Sequence, residues 1–255
     1  MGNKELLNKF YGFSKAGIAA LALSASISAC GGGSDGGSAD GGEGMTTFEV
    51  RIENIGADAI TTSLGSTLPA VFAPGAASVN LPGVNAFFSN GGVATPGLEI
   101  MAEDGGGMLL AQEGSALEGV FSTVAFGVPE GASEPGPITP GNSYVFELVA
   151  IPGYYMNLAT MFVQSNDLFI APVAAGVPMF NEDGTPRSGD ITSEILFWDA
   201  GTEVNQEPGL GVDQAPRQSG PNVGAVENGT VRLLNDSDFP LPTLDSVVRI
   251  TINPR

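Results

Sequence analysis

The sequence predicts an all-β domain, and three observations support this fold class. The 255-residue chain contains 37 glycines and 18 prolines, so turns interrupt it often. Its hydrophobic content of 42%, with only 15% charged residues, is sufficient to bury a core. Apolar residues recur at every second position in several short segments, which is the spacing of half-buried strands. No segment has the length or spacing of a helical bundle, so helices are expected to be few.

The first strand is predicted at residues 46–54, where Phe48, Val50 and Ile52 alternate with polar neighbours. The same alternation is found in four further segments, at residues 144–149, 156–163, 230–234 and 247–252. In the last segment we expect Val248, Ile250 and Ile252 to point into the core and Val247 to face outward or the sheet edge.

The rest of the chain is predicted to consist of loops and one or two short helices. One helix is expected at residues 98–104, just after a Pro-Gly pair, and another at residues 109–117. Proline and glycine cluster at residues 129–141, which indicates a loop. Residues 199–229 are almost free of apolar side chains, and a polar segment of this length is either a binding loop or a solvated connector.

Residues 1–29 have the three parts of an export signal: a basic start that holds all three lysines of the chain, an apolar run, and small residues. The apolar run is too short to span a bilayer as a mature helix. It ends in Ile27-Ser28-Ala29-Cys30, which resembles the lipobox of bacterial lipoproteins. We therefore expect cleavage before Cys30 and lipidation of that residue, the alternative being an ordinary signal peptide with a chance cysteine.

Residues 30–45 are predicted to form the lipidated cysteine and a flexible Gly/Ser-rich tether. Such a tether reaches roughly 5 to 6 Å times the square root of its length, or about two nanometres. Gly31 follows Cys30, and the lack of an aspartate there favours the outer membrane of a Gram-negative bacterium over the inner one. We expect a lipid-anchored protein at the cell envelope, at the outer membrane or cell surface.

The charge balance and two absences exclude several function classes. The formal net charge is −19, so a nucleic-acid partner is excluded by electrostatic repulsion, and cations are favoured as partners. An alternative reason for the acidity is solubility alone. The chain has no histidine and one cysteine, which removes Ser-His-Asp and Cys-His catalysis, histidine or thiolate zinc sites, and a disulfide within the chain.

Two short motifs lie some thirty residues apart: Ser165-Asn166-Asp167-Leu168 and Trp198-Asp199-Ala200-Gly201-Thr202-Glu203. They resemble motifs of the spondin N-terminal domain family, which includes F-spondin and mindin. The resemblance implies that residues 46–255 form an antiparallel β-sandwich similar to calcium-dependent membrane-targeting domains. The chain departs from the family pattern at Asn166, Leu168 and Glu203, where the family has proline, tryptophan and aspartate.

The same resemblance implies a Ca²⁺ site whose ligands are Asp167, Asp199 and Glu203. A hard cation such as calcium takes several oxygen ligands at about 2.3 to 2.6 Å. The carboxylates of Asp199 and Glu203 can converge only if the backbone turns between them, and Gly201 permits that turn. The alternative is structural: Asp167 caps a turn, the other two acids are solvated, and Trp198 belongs to the core.

The function implied by these features is that of a non-catalytic adhesion module, which binds an extracellular protein, a matrix component or a glycan. Bound calcium would stiffen the loops that meet the partner. Two alternatives remain open. One is a polysaccharide hydrolase that uses Asp199 and Glu203 as its pair of carboxylates, and the other is a lectin-like glycan-binding module.

Overall fold

The computed structural model describes residues 44–173, 175–234 and 239–255. The predicted signal peptide (1–29), the lipidation site Cys30 and nearly all of the tether (30–45) lie outside the described residues, and those assignments stay predictions. Within the described ranges, no helix is long and apolar enough to cross a membrane.

The described part of the chain contains thirteen strands, three short α-helices and one 3₁₀ helix, η1. In chain order these are β1 (Thr46–Asn54), β2 (Ile60–Thr61), β3 (Thr67–Leu68), β4 (Phe72–Asn80), α1 (Pro96–Asp104), α2 (Gly107–Ser115), β5 (Val120–Phe126), β6 (Ser143–Ala150), β7 (Tyr155–Phe162), β8 (Leu168–Pro172), β9 (Val177–Pro178), β10 (Gly189–Asp190), η1 (Thr192–Glu194), β11 (Ile195–Asp199), β12 (Arg232–Leu233), α3 (Leu244–Val247) and β13 (Val248–Pro254).

The strands form two main antiparallel sheets. One has four strands in the order β10-β13-β1-β6, and the other has seven, in the order β12-β11-β8-β7-β4-β5 with β9 beside β7. The main core cluster contains side chains of both sheets, and the rings of Phe126 on β5 and Phe146 on β6 stack with their centroids 4.6 Å apart. This arrangement confirms the predicted all-β, antiparallel, sandwich-like fold with few helices.

Two of the alternating segments form β1 and β13, which bury one face, whereas the segment at residues 156–163 forms β7, which is buried on both faces. Phe48, Val50 and Ile52 on β1 are fully buried, and so are Ile250 and Ile252 on β13, with Val248 almost completely buried. Both predictions of inward direction are confirmed. The outward direction expected for Val247 is wrong, because this residue ends helix α3 and is fully buried. The period of two therefore begins one residue later, at Val248.

Strand β4 is different, because every one of its nine residues is buried. Its inner face joins the main core, and its outer face is covered by α1 and α2, whose Leu98, Met101 and Leu110 belong to a second core cluster. Trp198 is in this second cluster and is 3% exposed. The two helices occur where they were predicted, and they cover the outer face of the seven-stranded sheet.

Candidate metal centre

The two sequence motifs meet at one end of the seven-stranded sheet. Strand β8 begins just after Asp167, and β11 ends at Asp199, which is paired in register with Leu168. The Ala200 amide donates to the Asp167 carbonyl at 3.2 Å, so the chain leaving β11 follows the chain entering β8. The antiparallel pairing of these two strands is what brings Asp167 close to residues 199–203.

Asp167 is fully buried, and its two carboxylate oxygens have different surroundings. Oδ2 accepts hydrogen bonds from the Thr202 amide at 2.8 Å, the Thr202 hydroxyl at 3.1 Å and the Glu203 amide at 3.2 Å. Oδ1 is buried and has no hydrogen-bond partner. Burial raises the pKa of Asp167, and the nearby charge of Asp199 raises it further. An unpartnered, buried carboxylate oxygen is costly unless a cation or a proton reaches it.

Asp199 is also fully buried, but both of its oxygens have donors. Oδ1 accepts from the Gly201 amide at 2.7 Å, and Oδ2 accepts from Asn205 Nδ2 at 2.6 Å. The Arg232 guanidinium lies 2.6 Å from the same Oδ2. Gly201 has φ of 69°, and a Cβ at this position would lie 2.7 Å from the Thr230 backbone, so the tight turn expected after Asp199 requires glycine.

Glu203 is 4% exposed and lies next to the loop that carries Asp167. Burial raises its pKa to about 7, and the charges of Asp167, Asp213 and Asp104 act in the same direction. Asn166 Nδ2 donates to Glu203 Oε2 at 3.2 Å. Asn166 stands where the resembled motif has proline, and its amide therefore positions the glutamate that replaces the motif's aspartate.

Two acids at the end of helix α1 complete the cluster. Glu103 is 4% exposed, and burial raises its pKa to about 7 although a hydrogen bond with Thr202 opposes that shift. Burial also raises the pKa of Asp104, which accepts from Gln218 Nε2 at 3.1 Å. Glu103 was not selected from the sequence. Only the packing of α1 on the sheet turns Glu103 inward, and no sequence signal indicates it.

The cluster matches the ligand chemistry of a hard cation but is not closed around one. Its side chains supply carboxylate and amide oxygens, and Asp167 Oδ1 is available. Across the described ranges, no group of three or more acidic, histidine or cysteine side chains is placed to hold one metal ion. Asp199 is directed to Arg232 instead. Asp167 interacts electrostatically with both Asp199 and Glu203, and the role of these three acids as calcium ligands stays a prediction.

The polar segment at residues 199–229 is held by its own side chains. Gln214 is fully buried and donates from Nε2 to the carbonyls of Glu207 at 2.9 Å and Gln206 at 3.2 Å. Arg217 donates to the Gly211 carbonyl at 2.6 Å. This amide network fixes the segment against the loop that carries Asp167, because Gly209 also donates to the Gln164 carbonyl at 2.9 Å.

The fold and the site together define the class of protein, which is an antiparallel β-sandwich with a buried cluster of acidic side chains at one end of its larger sheet. No protein-family profile matches the chain, and a search of characterised proteins gives no match.

Proposed function

We propose that this protein is a calcium-binding, non-catalytic module that is held at the bacterial outer membrane through lipidated Cys30. The observation that carries the proposal is the unpartnered, fully buried Oδ1 of Asp167, beside Asp199 and Glu203. The resemblance of the two motifs to the spondin domain supports the same assignment.

A divalent cation would remove the electrostatic cost of this arrangement. Asp167 and Glu203 would hold it, with Asp199, Glu103 and backbone carbonyls as further oxygen donors. The ion supplies two positive charges, which stabilise the ionised form of carboxylates that otherwise repel one another. These acids are poor candidates for solvated surface residues, because Asp167, Asp199 and Glu203 are all at most 4% exposed.

The consequence for function is a rigid surface at one end of the sandwich. The Asp167 loop and the polar segment 199–229 are joined by hydrogen bonds, so an ion bound between them would limit the motion of both. A surface that is already ordered loses less entropy when it binds a partner. We infer an extracellular protein or a glycan as the partner, since the net charge of −19 repels nucleic acids.

A polysaccharide hydrolase is the less favoured reading. Glycoside cleavage requires two carboxylates that both reach the sugar. Asp199 is fully buried, and its oxygens are engaged by Gly201, Asn205 and Arg232. We therefore propose binding without catalysis.

A calcium titration followed by thermal unfolding of the purified protein tests the proposal. Calcium is expected to raise the melting temperature, and Asp167→Asn is expected to abolish the rise. Asp183→Asn is the matched control, because this exposed acid accepts its hydrogen bonds from Thr185 only two residues away. A wild-type protein whose melting temperature does not respond to calcium refutes the calcium site.

A further inference from the structure

The pairing of β11 with β12 places the positively charged side chain of Arg232 beside the proposed metal site. Arg232 and Asp199 are direct cross-strand partners, so their side chains lie on the same face of the sheet. The guanidinium Nη2 lies 2.6 Å from Asp199 Oδ2. The Asp199 side chain is fully buried, whereas that of Arg232 is 37% exposed. One partner of the pair is therefore fixed in the interior, and the other has a route to solvent.

Arg232 compensates the charge of one of two buried carboxylates that interact with each other, Asp199 and Asp167. A buried carboxylate next to a second buried carboxylate needs a compensating charge. In the described structure Arg232 supplies that charge to Asp199, while Asp167 Oδ1 has no partner. A calcium ion that used Asp199 as a ligand would have to compete with the guanidinium for Oδ2 and would also be repelled by its charge.

We propose that Arg232 is an internal counter-cation that competes with the divalent ion for Asp199 and so sets the calcium affinity of the site. The inference rests on the proposed function, since it assumes that calcium binds here. Strand β12 has only two residues and lies at the edge of its sheet, so the guanidinium can move toward solvent without disturbing a long strand pairing. Calcium binding and release of the Asp199–Arg232 pair are then coupled events.

Isothermal titration of the full-length protein with calcium chloride tests the inference. Arg232→Met keeps most of the aliphatic length and removes the charge, and we expect it to bind calcium at least tenfold more tightly than the wild type. Arg232→Lys retains a positive charge and should stay within a few-fold of the wild type. Arg51→Met is the matched control, because it removes an equal charge from a partly exposed pair with Glu130. Its affinity should not change.

A second readout is thermal unfolding with and without calcium. Without calcium, Arg232→Met leaves the buried Asp199 carboxylate without its cationic partner, so the melting temperature of the variant should fall below that of the wild type and calcium should restore it. If the single variant does not fold, the double variant Asp199→Asn, Arg232→Met removes both charges. It should fold and bind no more tightly than the wild type.

The possible results separate this inference from the proposed function. Equal calcium affinity for the wild type and Arg232→Met overturns the role of Arg232 and leaves the calcium site intact. Binding by Arg232→Met but not by the wild type refutes the calcium site of the native protein, although it still shows that the guanidinium competes with the ion. Absence of calcium binding in both proteins overturns the two proposals together.

Discussion

The substitution Glu203→Gln should change how the stability of the calcium-free protein depends on pH. Burial raises the pKa of Glu203 from 4.5 to about 7. The folded protein therefore holds a proton that the unfolded chain has already lost, and stability must fall as pH rises between these two values. The penalty is absent below the unfolded pKa and complete above the folded pKa.

The size of the effect follows from the shift. One pKa unit corresponds to about 1.36 kcal/mol. Ionisation of Glu203 therefore lowers the free energy of unfolding by at most roughly 3.4 kcal/mol. Relaxation of the surrounding loops around the ionised carboxylate reduces this cost, and we expect about 1 to 2 kcal/mol. For a domain of this size each 1 kcal/mol moves the melting temperature by about 2 to 4 °C. The Glu203 carboxyl group is therefore expected to lower the melting temperature by about 2 to 8 °C between pH 5 and pH 8.

The assay is differential scanning fluorimetry at pH 5 and pH 8 in metal-depleted buffer. Glu203→Gln removes the titrating group, so its melting temperature should fall less than that of the wild type between the two pH values. Glu134→Gln, at an exposed loop position, is the control for loss of one negative charge and should behave as the wild type. An equal fall in the wild type and Glu203→Gln would show that this carboxyl group does not carry the pH dependence.

Two further predictions concern the turn and the anchor. Gly201→Ala places a Cβ 2.7 Å from the Thr230 backbone at a φ of 69°, and should cost about 1 to 3 kcal/mol in chemical denaturation. Gly65→Ala is its control, since Gly65 also has a positive φ (77°) but nothing within 4 Å of the added Cβ, and an equal cost at both positions would contradict the steric argument. Cys30→Ala should abolish labelling by radioactive palmitate and release the protein from the membrane fraction, whereas membrane retention of the unlabelled variant would argue against the lipid anchor.

The number of buried faces decided how readily β1, β13 and β4 could be predicted. β1 and β13 bury one face, so Phe48, Val50, Ile250 and Ile252 alternate with polar residues and were recognisable. β4 is buried on both faces and has no such alternation, so this strand of the larger sheet, which lies between β7 and β5, was not predicted. The strand expected at residues 230–234 is only two residues long, because it pairs only with the last two residues of β11.

In the candidate site, the residues within short motifs could be predicted, and the residues placed by contacts between distant segments could not. Asp167, Asp199 and Glu203 were selected from two short motifs, and the turn at Gly201 could be expected from residue types alone. Glu103 and Arg232 could not, because each acquires its role from a contact with a distant segment. Glu103 reaches the site through the packing of α1, and Arg232 reaches Asp199 through the pairing of β12 with β11.

By itself, the amino-acid sequence determined the all-β class, the two helices, the strands with one buried face, and which acidic side chains to consider. The fold class, the helices and the strands follow from residue type and from spacing along a few consecutive residues, whereas the acidic side chains follow from the resemblance of two motifs to a known family. The tertiary structure alone decided that the Asp167 carboxylate has a buried oxygen without a partner and that Asp199 is paired with an arginine. Burial and charge pairing depend on which segments are neighbours in space. The local periodicity of a sequence does not predict the order in which distant strands pair.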